Sequence, residues 1–213
     1  MPGASIRDMS DVQLPFQGIA EYYDGLVSRY GHDPRACDYG RAESQAKKFR
    51  VLGEVLDLDG KTLLDVGCGF ADFASYLQSR SRKVRYTGID LSARMIAEAR
   101  RLHPDLDLRV ENILDAGDEE RYDVVSANGV FYLLGESAPE LMRRLIVKMW
   151  ELAKVAVAIN SLSTWAPDAT AGEFYADPLE TVSFCKTLTS WIALRHDYHP
   201  RDFTVYMYRG PNR

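Results

Sequence analysis

Two acidic residues and a glycine turn stand where two predicted strands end, and their spacing points to ligand chemistry. An apolar run carries Asp65 and leads directly into Gly67-Cys68-Gly69, and the next strand-like run ends in Asp90, 21 residues after Gly69. In a βαβ unit, a glycine turn after the first strand and a carboxylate after the second place an adenosine-containing ligand across the strand ends. The sequence therefore predicts such a site at this edge of the sheet.

The elements that must position these residues alternate along the chain. Strands are predicted at 62–66, 84–89, 107–111, 122–127 and 154–159, with helices at 71–78 and 93–102 and another opened by a capping box at Ser137-Ala138-Pro139-Glu140. Ser92 and Asp177 are expected to be N-caps of two of the helices. Two further strands, 191–197 and 203–208, are joined by a linker too short for a parallel crossover, so they must pair antiparallel.

This pattern predicts an α/β fold, a doubly wound seven-stranded mostly parallel sheet with an antiparallel C-terminal strand. Before the sheet, helices are expected at about 14–30 and 42–56, with a polar irregular segment at 35–41 between them. We therefore divide the chain into an N-terminal helical extension, residues 1–58, and an α/β domain, residues 59–213.

Composition narrows the classes of function. The net charge of the 213-residue chain is −5 at pH 7, which argues against general affinity for nucleic acid or for an anionic membrane. Its longest apolar runs are too short to span a bilayer. Three scattered cysteines favour reduced thiols and a cytoplasmic location. The oligomeric state stays open.

Three motifs in this order carry a family resemblance. They are Leu64 to Gly69, Tyr86-Thr87-Gly88-Ile89-Asp90-Leu91-Ser92, and the strand that begins at Tyr122 and reaches Asn128. Together they resemble a class I S-adenosylmethionine-dependent methyltransferase over about residues 60–210, and the antiparallel end of the sheet is a feature of that family. The resemblance implies S-adenosyl-L-methionine as cofactor and S-adenosyl-L-homocysteine as product. It does not specify the acceptor.

The resemblance also implies roles for individual residues. The turn Gly67-Cys68-Gly69 would let the backbone approach the methionine part of the cofactor, with Asp65 near its amino group, and Asp90 would bind the ribose hydroxyls. Leu91 would flank the adenine. The remaining implied cofactor residues are Asn112 and Ile113 at the adenine, Asn128 and Gly129 beneath the sulfonium, and Tyr39, Arg41 and Gln45 in the loop between the two N-terminal helices, which related methyltransferases use as a lid.

Three positions depart from the family pattern. Ala71 stands where many members have a third glycine, and Phe70 is bulkier than usual and is expected to narrow the pocket. Asn112 replaces the usual acid, although its carbonyl oxygen can still accept a hydrogen bond.

A dinucleotide is the main alternative ligand, because the related fold of NAD-dependent oxidoreductases binds a diphosphate at the first helix N-terminus. Asp72 in that turn, with Asp65 nearby, would repel a diphosphate but tolerate a sulfonium and an ammonium. The residues thus favour methyl transfer to a small-molecule acceptor, whose reacting atom stays open. A non-catalytic nucleoside-binding regulatory subunit is the second alternative.

No catalytic base is evident from the sequence. His196 and Tyr175 are the weak candidates for this role. His196 and His199 have a His-x-x-His spacing, but on a strand end this places the rings on opposite faces, so no metal site is expected.

Overall fold

One seven-stranded sheet organises the chain in the computed structural model, which describes residues 15–37, 42–80, 82–117 and 119–211. Its strands are β1 Thr62–Val66, β2 Arg85–Asp90, β3 Asp107–Val110, β4 Tyr122–Asn128, β5 Ala153–Leu162, β6 Trp191–Arg195 and β7 Asp202–Tyr208. The helices within these residues are α1 Phe16–Tyr30, α2 Ala42–Gly53, α3 Asp72–Ser79, α4 Ala93–Leu102, α5 Ala138–Leu152 and α6 Pro178–Cys185. None of these helices is long and apolar enough to cross a bilayer.

The sheet has the order β3-β2-β1-β4-β5-β7-β6, which confirms the predicted fold class. Strands β1 to β5 pair in parallel, whereas β7 is antiparallel to both β5 and β6. Because β7 runs the other way, its first residue, Asp202, lies opposite Leu162 near the end of β5. The carboxyl ends of β1, β4 and β5 and the beginning of β7 therefore meet at one edge.

Both faces of the sheet are covered, as a doubly wound sheet requires. The predicted apolar stripe of α5, with Leu141, Leu145 and Met149, is buried on one face. On the other face, Phe73 of α3 and Ile96 of α4 are buried together with apolar residues of α2. Burial on both faces explains why the strands are nearly continuous apolar runs.

Two of the three predicted helix caps are confirmed. The Ser92 hydroxyl accepts a hydrogen bond from the Met95 N–H at 3.0 Å. The Asp177 carboxylate accepts bonds from the next two N–H groups of α6, at 2.8 and 3.0 Å. The capping box at Ser137 is wrong, because its side chain caps nothing. Residues Gly135–Ser137 form a 3₁₀ turn that runs straight into α5, so Ser137 lacks the extended backbone of an N-cap.

Several element boundaries differ from the predictions by one to three residues; for example, α2 ends at Gly53 rather than at 56, and β6 ends at Arg195 rather than at 197. Pro34–Cys37 is a 3₁₀ turn rather than irregular chain, and the rest of the segment predicted irregular lies outside the described residues. Strand β5 extends to Leu162, three residues beyond its predicted end at 159, because residues 160 to 162 pair with the beginning of β7.

Helix α2 is attached to the sheet by two buried tyrosines of β7. The Tyr206 hydroxyl donates to the Val51 carbonyl, and the Tyr208 hydroxyl donates to the Val55 carbonyl at 2.9 Å. These carbonyls lie near the end of α2, where the last carbonyls lack the i+4 partner of a continuing helix, although that of Val51 also accepts from the Glu54 N–H at 3.0 Å. The tyrosines therefore fix the position of α2 across one face of the sheet.

Replacing Tyr208 with Phe should lower the free energy of unfolding by about 1–3 kcal/mol, because it leaves the buried Val55 carbonyl without this donor. Urea unfolding followed by circular dichroism measures the loss. Tyr30→Phe is the matched control, since the described contacts of Tyr30 are with the guanidinium groups of Arg29 and Arg35 rather than through its hydroxyl. Equal effects of the two substitutions would contradict this account of α2.

Candidate functional site

A cavity of about 280 Å³ lies at the carboxyl edge of the sheet, with residues of α1 and α2 among its walls. It brings together every predicted cofactor residue that the structure describes: Gln45, Asp65, Gly67, Cys68, Gly69, Asp90, Leu91, Asn112, Ile113, Asn128 and Gly129. Tyr39 and Arg41 lie outside the described residues. The geometry places these side chains in one cavity, and their binding of a cofactor stays a prediction.

The turn after β1 requires glycine. Gly67 and Gly69 have φ angles of +70° and +57°, in the left-handed region that L side chains rarely adopt. A Cβ atom on Gly67 would lie only 2.4 Å from Cγ1 of Val130. The N–H groups of Gly67 and Cys68 both donate to the Ile89 carbonyl, at 2.8 and 3.0 Å. The bend therefore ties the end of β1 to the end of β2 and keeps the backbone bare toward the cavity.

Ala71 adopts the same unusual backbone, with φ of +61°, at the start of α3. An L-residue in this region costs about 1–2 kcal/mol relative to a right-handed conformation. The family glycine that Ala71 replaces thus serves backbone conformation as well as close packing. The Ala71 methyl is completely buried, and this burial offsets part of the cost.

Asp90 connects the glycine turn to the start of α4. One carboxylate oxygen accepts from the Gly69 N–H at 2.9 Å, and the other accepts from the Ser92 N–H at 2.9 Å. Burial raises the pKa of Asp90, while these backbone N–H groups oppose the rise. Each oxygen keeps further acceptor capacity. The carboxylate is thus oriented to receive two hydroxyl groups at once.

Asp65 lies beneath the turn, fully enclosed. Its two oxygens accept hydrogen bonds from the Tyr86 hydroxyl at 2.6 Å and from the Ser126 hydroxyl at 3.0 Å. Burial raises the pKa of Asp65 to about 6, against the lowering effect of these two donors. Near neutral pH the group therefore carries a buried negative charge without a paired cation among its described contacts. A cationic ligand group in the cavity would be attracted to it.

The N-terminal helices reach the cavity through polar contacts. Asp72 accepts from Gln45 of α2 at 3.3 Å and contacts the His32 ring, which follows α1, at 3.1 Å. Asp24 of α1 contacts the Ser92 hydroxyl at the start of α4. Asp72, which the sequence suggested as a barrier to a diphosphate, thus also links the turn to the covering segments.

The Asn112 side chain is partly occupied. Its carbonyl oxygen accepts from the Leu114 N–H at 3.1 Å and caps the short turn Ile113–Asp115. A carbonyl oxygen has a second lone pair, and the amide has two N–H donors. The replacement of the usual acid by Asn112 therefore keeps hydrogen-bonding capacity at this wall.

Sequence reasoning missed a polar cluster at the β7 side of the same cavity. Lys48 Nζ of α2 lies 2.8 Å from one oxygen of Asp202, and His199 Nδ1 lies 2.7 Å from the other. His199 Nε2 lies 3.3 Å from the Ser44 hydroxyl. Arg201 also lines this part of the cavity. Lys48 and Asp202 come from opposite ends of the chain, so no local spacing reveals their pairing.

The two weak catalytic candidates lie elsewhere. His196 Nε2 contacts the Ser163 hydroxyl at 2.8 Å and stacks on Trp165, and Tyr175 donates to Glu173 at 2.6 Å. Neither lines the cavity. His196 and His199 have separate partners, and within the described ranges no group of three His, Cys, Asp or Glu residues could hold a metal ion.

Comparison with known proteins agrees with this geometry. A family model described as a methyltransferase domain matches residues 64–154. A Mycobacterium tuberculosis protein named as a methyltransferase is 28% identical over 154 residues, covering 69% of this chain and 92% of that protein. The malonyl-[acyl-carrier protein] O-methyltransferase of Acetivibrio thermocellus is 34% identical over 129 residues, but this match covers 58% of the chain and 40% of the relative.

Solved structures support the fold. Magnesium protoporphyrin IX methyltransferase from Synechocystis PCC 6803, with bound SAH, superposes with a TM-score of 0.65 at 12% identity, covering 91% of this chain and 99% of that one. At such identity the likeness concerns the fold alone. Together with the family match, it confirms the resemblance seen in the sequence motifs.

Gly67→Ala should destabilise the fold by about 1–2 kcal/mol from the left-handed backbone alone, with a further loss from the contact with Val130. The double variant Gly67→Ala/Val130→Ala removes the contact but keeps the backbone strain. Gly67→Ala should therefore lower the free energy of unfolding by less in the Val130→Ala background than in the wild-type background. A double-mutant cycle from urea unfolding measures the difference, and strict additivity would contradict the close approach.

Asp65→Asn should change the pH dependence of stability. The folded pKa of about 6 exceeds the ordinary value of 3.8, so wild-type stability attributable to this group falls as pH rises between these values. The variant lacks this loss, and its free energy of unfolding relative to wild type should rise by about 2–3 kcal/mol from pH 4 to pH 7. Urea titrations across that range measure it.

Asp197→Asn is a control of opposite sign. A hydrogen bond from the Arg195 guanidinium lowers the pKa of Asp197, so the stability from this carboxylate is lost as pH falls. That variant should lose stability relative to wild type as pH rises. Parallel pH profiles for the two variants would contradict the assignment of Asp65.

Proposed function

We propose that this chain is a class I S-adenosylmethionine-dependent methyltransferase and that it transfers the methyl group to a small-molecule acceptor by in-line displacement; its fold and its domain match support this. The observation that carries the proposal is the single cavity that joins the glycine turn and Asp90 to a separate polar end beside β7. One end suits a nucleoside, and the other leaves room for an acceptor.

The cavity residues fit the cofactor. Asp90 presents two carboxylate oxygens, already oriented by backbone N–H groups, to a ribose diol. Leu91 and Ile113 supply apolar wall on the adenine side. The bare turn from Gly67 to Gly69 admits the amino-acid part of the ligand, and the negative charge of Asp65 attracts its ammonium group.

The charges of this end also favour S-adenosylmethionine over a dinucleotide. Asp65, Asp72, Asp90 and Glu111 all line the cavity. Four acidic side chains around an enclosed space raise the energy of a bound diphosphate and lower that of a sulfonium. This arrangement argues against an NAD-dependent oxidoreductase.

When bound, S-adenosylmethionine supplies a methyl group that its positive sulfonium already activates. The chain's own residues then have to hold donor and acceptor in line and exclude water. Holding two reactants in a productive orientation can contribute about 7–11 kcal/mol to lowering the barrier. Asn128 and Gly129, at the end of β4, form the floor on which this alignment depends.

A small acceptor is supported by how the cavity is covered. Phe16, Ile19 and Tyr23 of α1 line it, and the hydroxyl groups of Tyr23 and Tyr132, which also lines it, are hydrogen-bonded at 2.6 Å. We propose that the N-terminal helices act as a lid that admits small molecules. The relative named as an O-methyltransferase supports oxygen as the accepting atom.

Asp90→Asn should weaken the binding of S-adenosylmethionine and S-adenosylhomocysteine by about 1–3 kcal/mol, because an amide offers only one oxygen to the ribose diol. Isothermal titration calorimetry measures both ligands, with circular dichroism as a check that the variant is folded. Asp107→Asn is the matched control, because Asp107 lies at the opposite end of the neighbouring strand and pairs with Arg109.

Three outcomes discriminate among the functions. An affinity for S-adenosylhomocysteine that falls in Asp90→Asn but not in Asp107→Asn supports the proposal. Tighter binding of NAD than of either sulfur ligand would overturn it. Cofactor binding without label transfer from methyl-labelled S-adenosylmethionine to any metabolite of a small-molecule extract would favour a regulatory nucleoside-binding subunit.

A further inference from the structure

The polar cluster beside β7 pairs the His199 imidazole with the Asp202 carboxylate, a combination that can act as a general base. His199 lines the cavity, its ring is half-buried, and its Nδ1 atom lies 2.7 Å from an Asp202 oxygen. Two atoms that both carry lone pairs do not approach this closely without a proton between them. We therefore assign the ring proton to Nδ1, which faces this carboxylate oxygen.

This tautomer leaves Nε2 with a free lone pair. The backbone N–H of Arg201 also points to Nδ1 at 3.3 Å and would require a lone pair there. That contact is longer than the 2.7 Å between Nδ1 and Asp202. The short carboxylate contact therefore decides the tautomer. On the other side of the ring, Nε2 meets the Ser44 hydroxyl at 3.3 Å, a weak contact that another hydroxyl group can replace.

The position of His199 suits an acceptor. The cofactor floor lies at the end of β4, and Asp202 begins β7, two strands away in the order β4-β5-β7. Two strand spacings correspond to about 10 Å, which leaves room for a small molecule between floor and histidine. Asn160, at the β5 position between them, lines the cavity and has a buried side-chain oxygen without a partner among the described residues.

The orientation of Asn160 is fixed by its other contacts. Its amide nitrogen donates to the Phe203 carbonyl at 3.2 Å and to the Tyr198 hydroxyl at 2.7 Å. A carbonyl can only accept, so this nitrogen cannot exchange places with the oxygen. An unpaired buried oxygen is costly, and a ligand hydrogen-bond donor would satisfy it.

We infer that His199 is the general base of the reaction, that Asp202 positions it, and that the acceptor presents a neutral hydroxyl group. This inference rests on the proposed methyltransferase function. In the step, Nε2 accepts the hydroxyl proton and the acceptor oxygen forms the bond to the methyl carbon. The electron pair of the breaking carbon–sulfur bond stays on sulfur, and Asp202 stabilises the imidazolium that results.

The charges around His199 keep it neutral before the step. Burial lowers the pKa of His199, the Asp202 carboxylate opposes this, and Lys48 and Lys47 of α2 and the neighbouring Arg201 lower it further. The ring is thus in its basic form at neutral pH. A weak base is sufficient here, because a hydroxyl becomes strongly acidic as its oxygen gains the methyl group.

His199→Asn is the sharpest variant, because the Asn amide keeps a donor for Asp202 but has no basic nitrogen. His196→Asn is the matched control, since His196 lies on the same segment but outside the cavity. Both proteins are tested with methyl-labelled S-adenosylmethionine against a panel of phenols, hydroxy acids and dicarboxylic acids. Calorimetry with S-adenosylhomocysteine accompanies each assay.

We expect wild type to methylate the hydroxyl-bearing acceptors, with kcat at least about 10²-fold lower in His199→Asn and unchanged in His196→Asn. The wild-type rate should rise with pH through the pKa of His199 and then level off, and this rise should be absent from the variant. Binding of S-adenosylhomocysteine should be the same in all three proteins. Methylation of dicarboxylic acids that is insensitive to position 199 would overturn the inference but leave the proposed function intact.

A readout independent of turnover tests the tautomer. In ¹⁵N-histidine-labelled protein saturated with S-adenosylhomocysteine, two-dimensional NMR reports which ring nitrogen of His199 carries the proton, and His199→Asn identifies the signal. We expect the proton on Nδ1 at pH 7 and a mixed tautomer in Asp202→Asn. A proton on Nε2, or a charged ring, would overturn the inference. Failure of every protein to bind S-adenosylhomocysteine would instead contradict the proposed function.

Discussion

The partly buried carboxylate of Asp90 makes the interaction on which the rest of the site depends. Its two oxygens bind the N–H groups of Gly69 and Ser92, so one side chain fixes both the glycine turn after β1 and the first turn of α4. Ser92 in turn caps α4 and contacts Asp24, which ties α1 to the same point. A single acid at the end of β2 therefore orients the ligand-facing backbone and the start of α4, to which the covering helix α1 is tied through Asp24. A change at this position would disturb the turn and the cover together.

Helix α2 carries the same connection across the cavity. Within little more than one turn, three of its residues contact the cavity's polar groups. Ser44 contacts His199, Gln45 contacts Asp72, and Lys48 pairs with Asp202. The buried hydroxyl of Tyr208 anchors the end of this helix to β7. Because one rigid element contacts both ends of the cavity, a displacement of α2 on ligand binding would be felt at both. This is the physical basis on which closure over the cofactor could affect the acceptor side.

Sequence alone predicted the features that depend on neighbouring residues. The glycine turn, the acids Asp65 and Asp90, and the caps Ser92 and Asp177 are encoded within single strand–turn–helix units, where spacing fixes geometry. It failed at Ser137, where a preceding 3₁₀ turn changes the backbone, because such a turn has no strong sequence signature. It also missed the approach of Ser44 to His199, which are 155 positions apart. The contact arises from the antiparallel return of β7, a tertiary event that periodicity does not describe.

The choice between the two histidines shows why the site needed three-dimensional information. Both are in one short segment at the end of β6, and by residue type either can act as a base. His196 stacks between Trp165 and Phe203 and faces Ser163, whereas His199 reaches the buried Asp202. A carboxylate partner selects the tautomer and stabilises the protonated ring, and a hydroxyl partner does neither as strongly. Lys48 completes the arrangement, because burial lowers the pKa of His199, the Asp202 carboxylate opposes this, and the positive charge of Lys48 adds to the lowering. The lysine on α2 thus acts together with burial to favour the neutral ring, which can accept the acceptor proton.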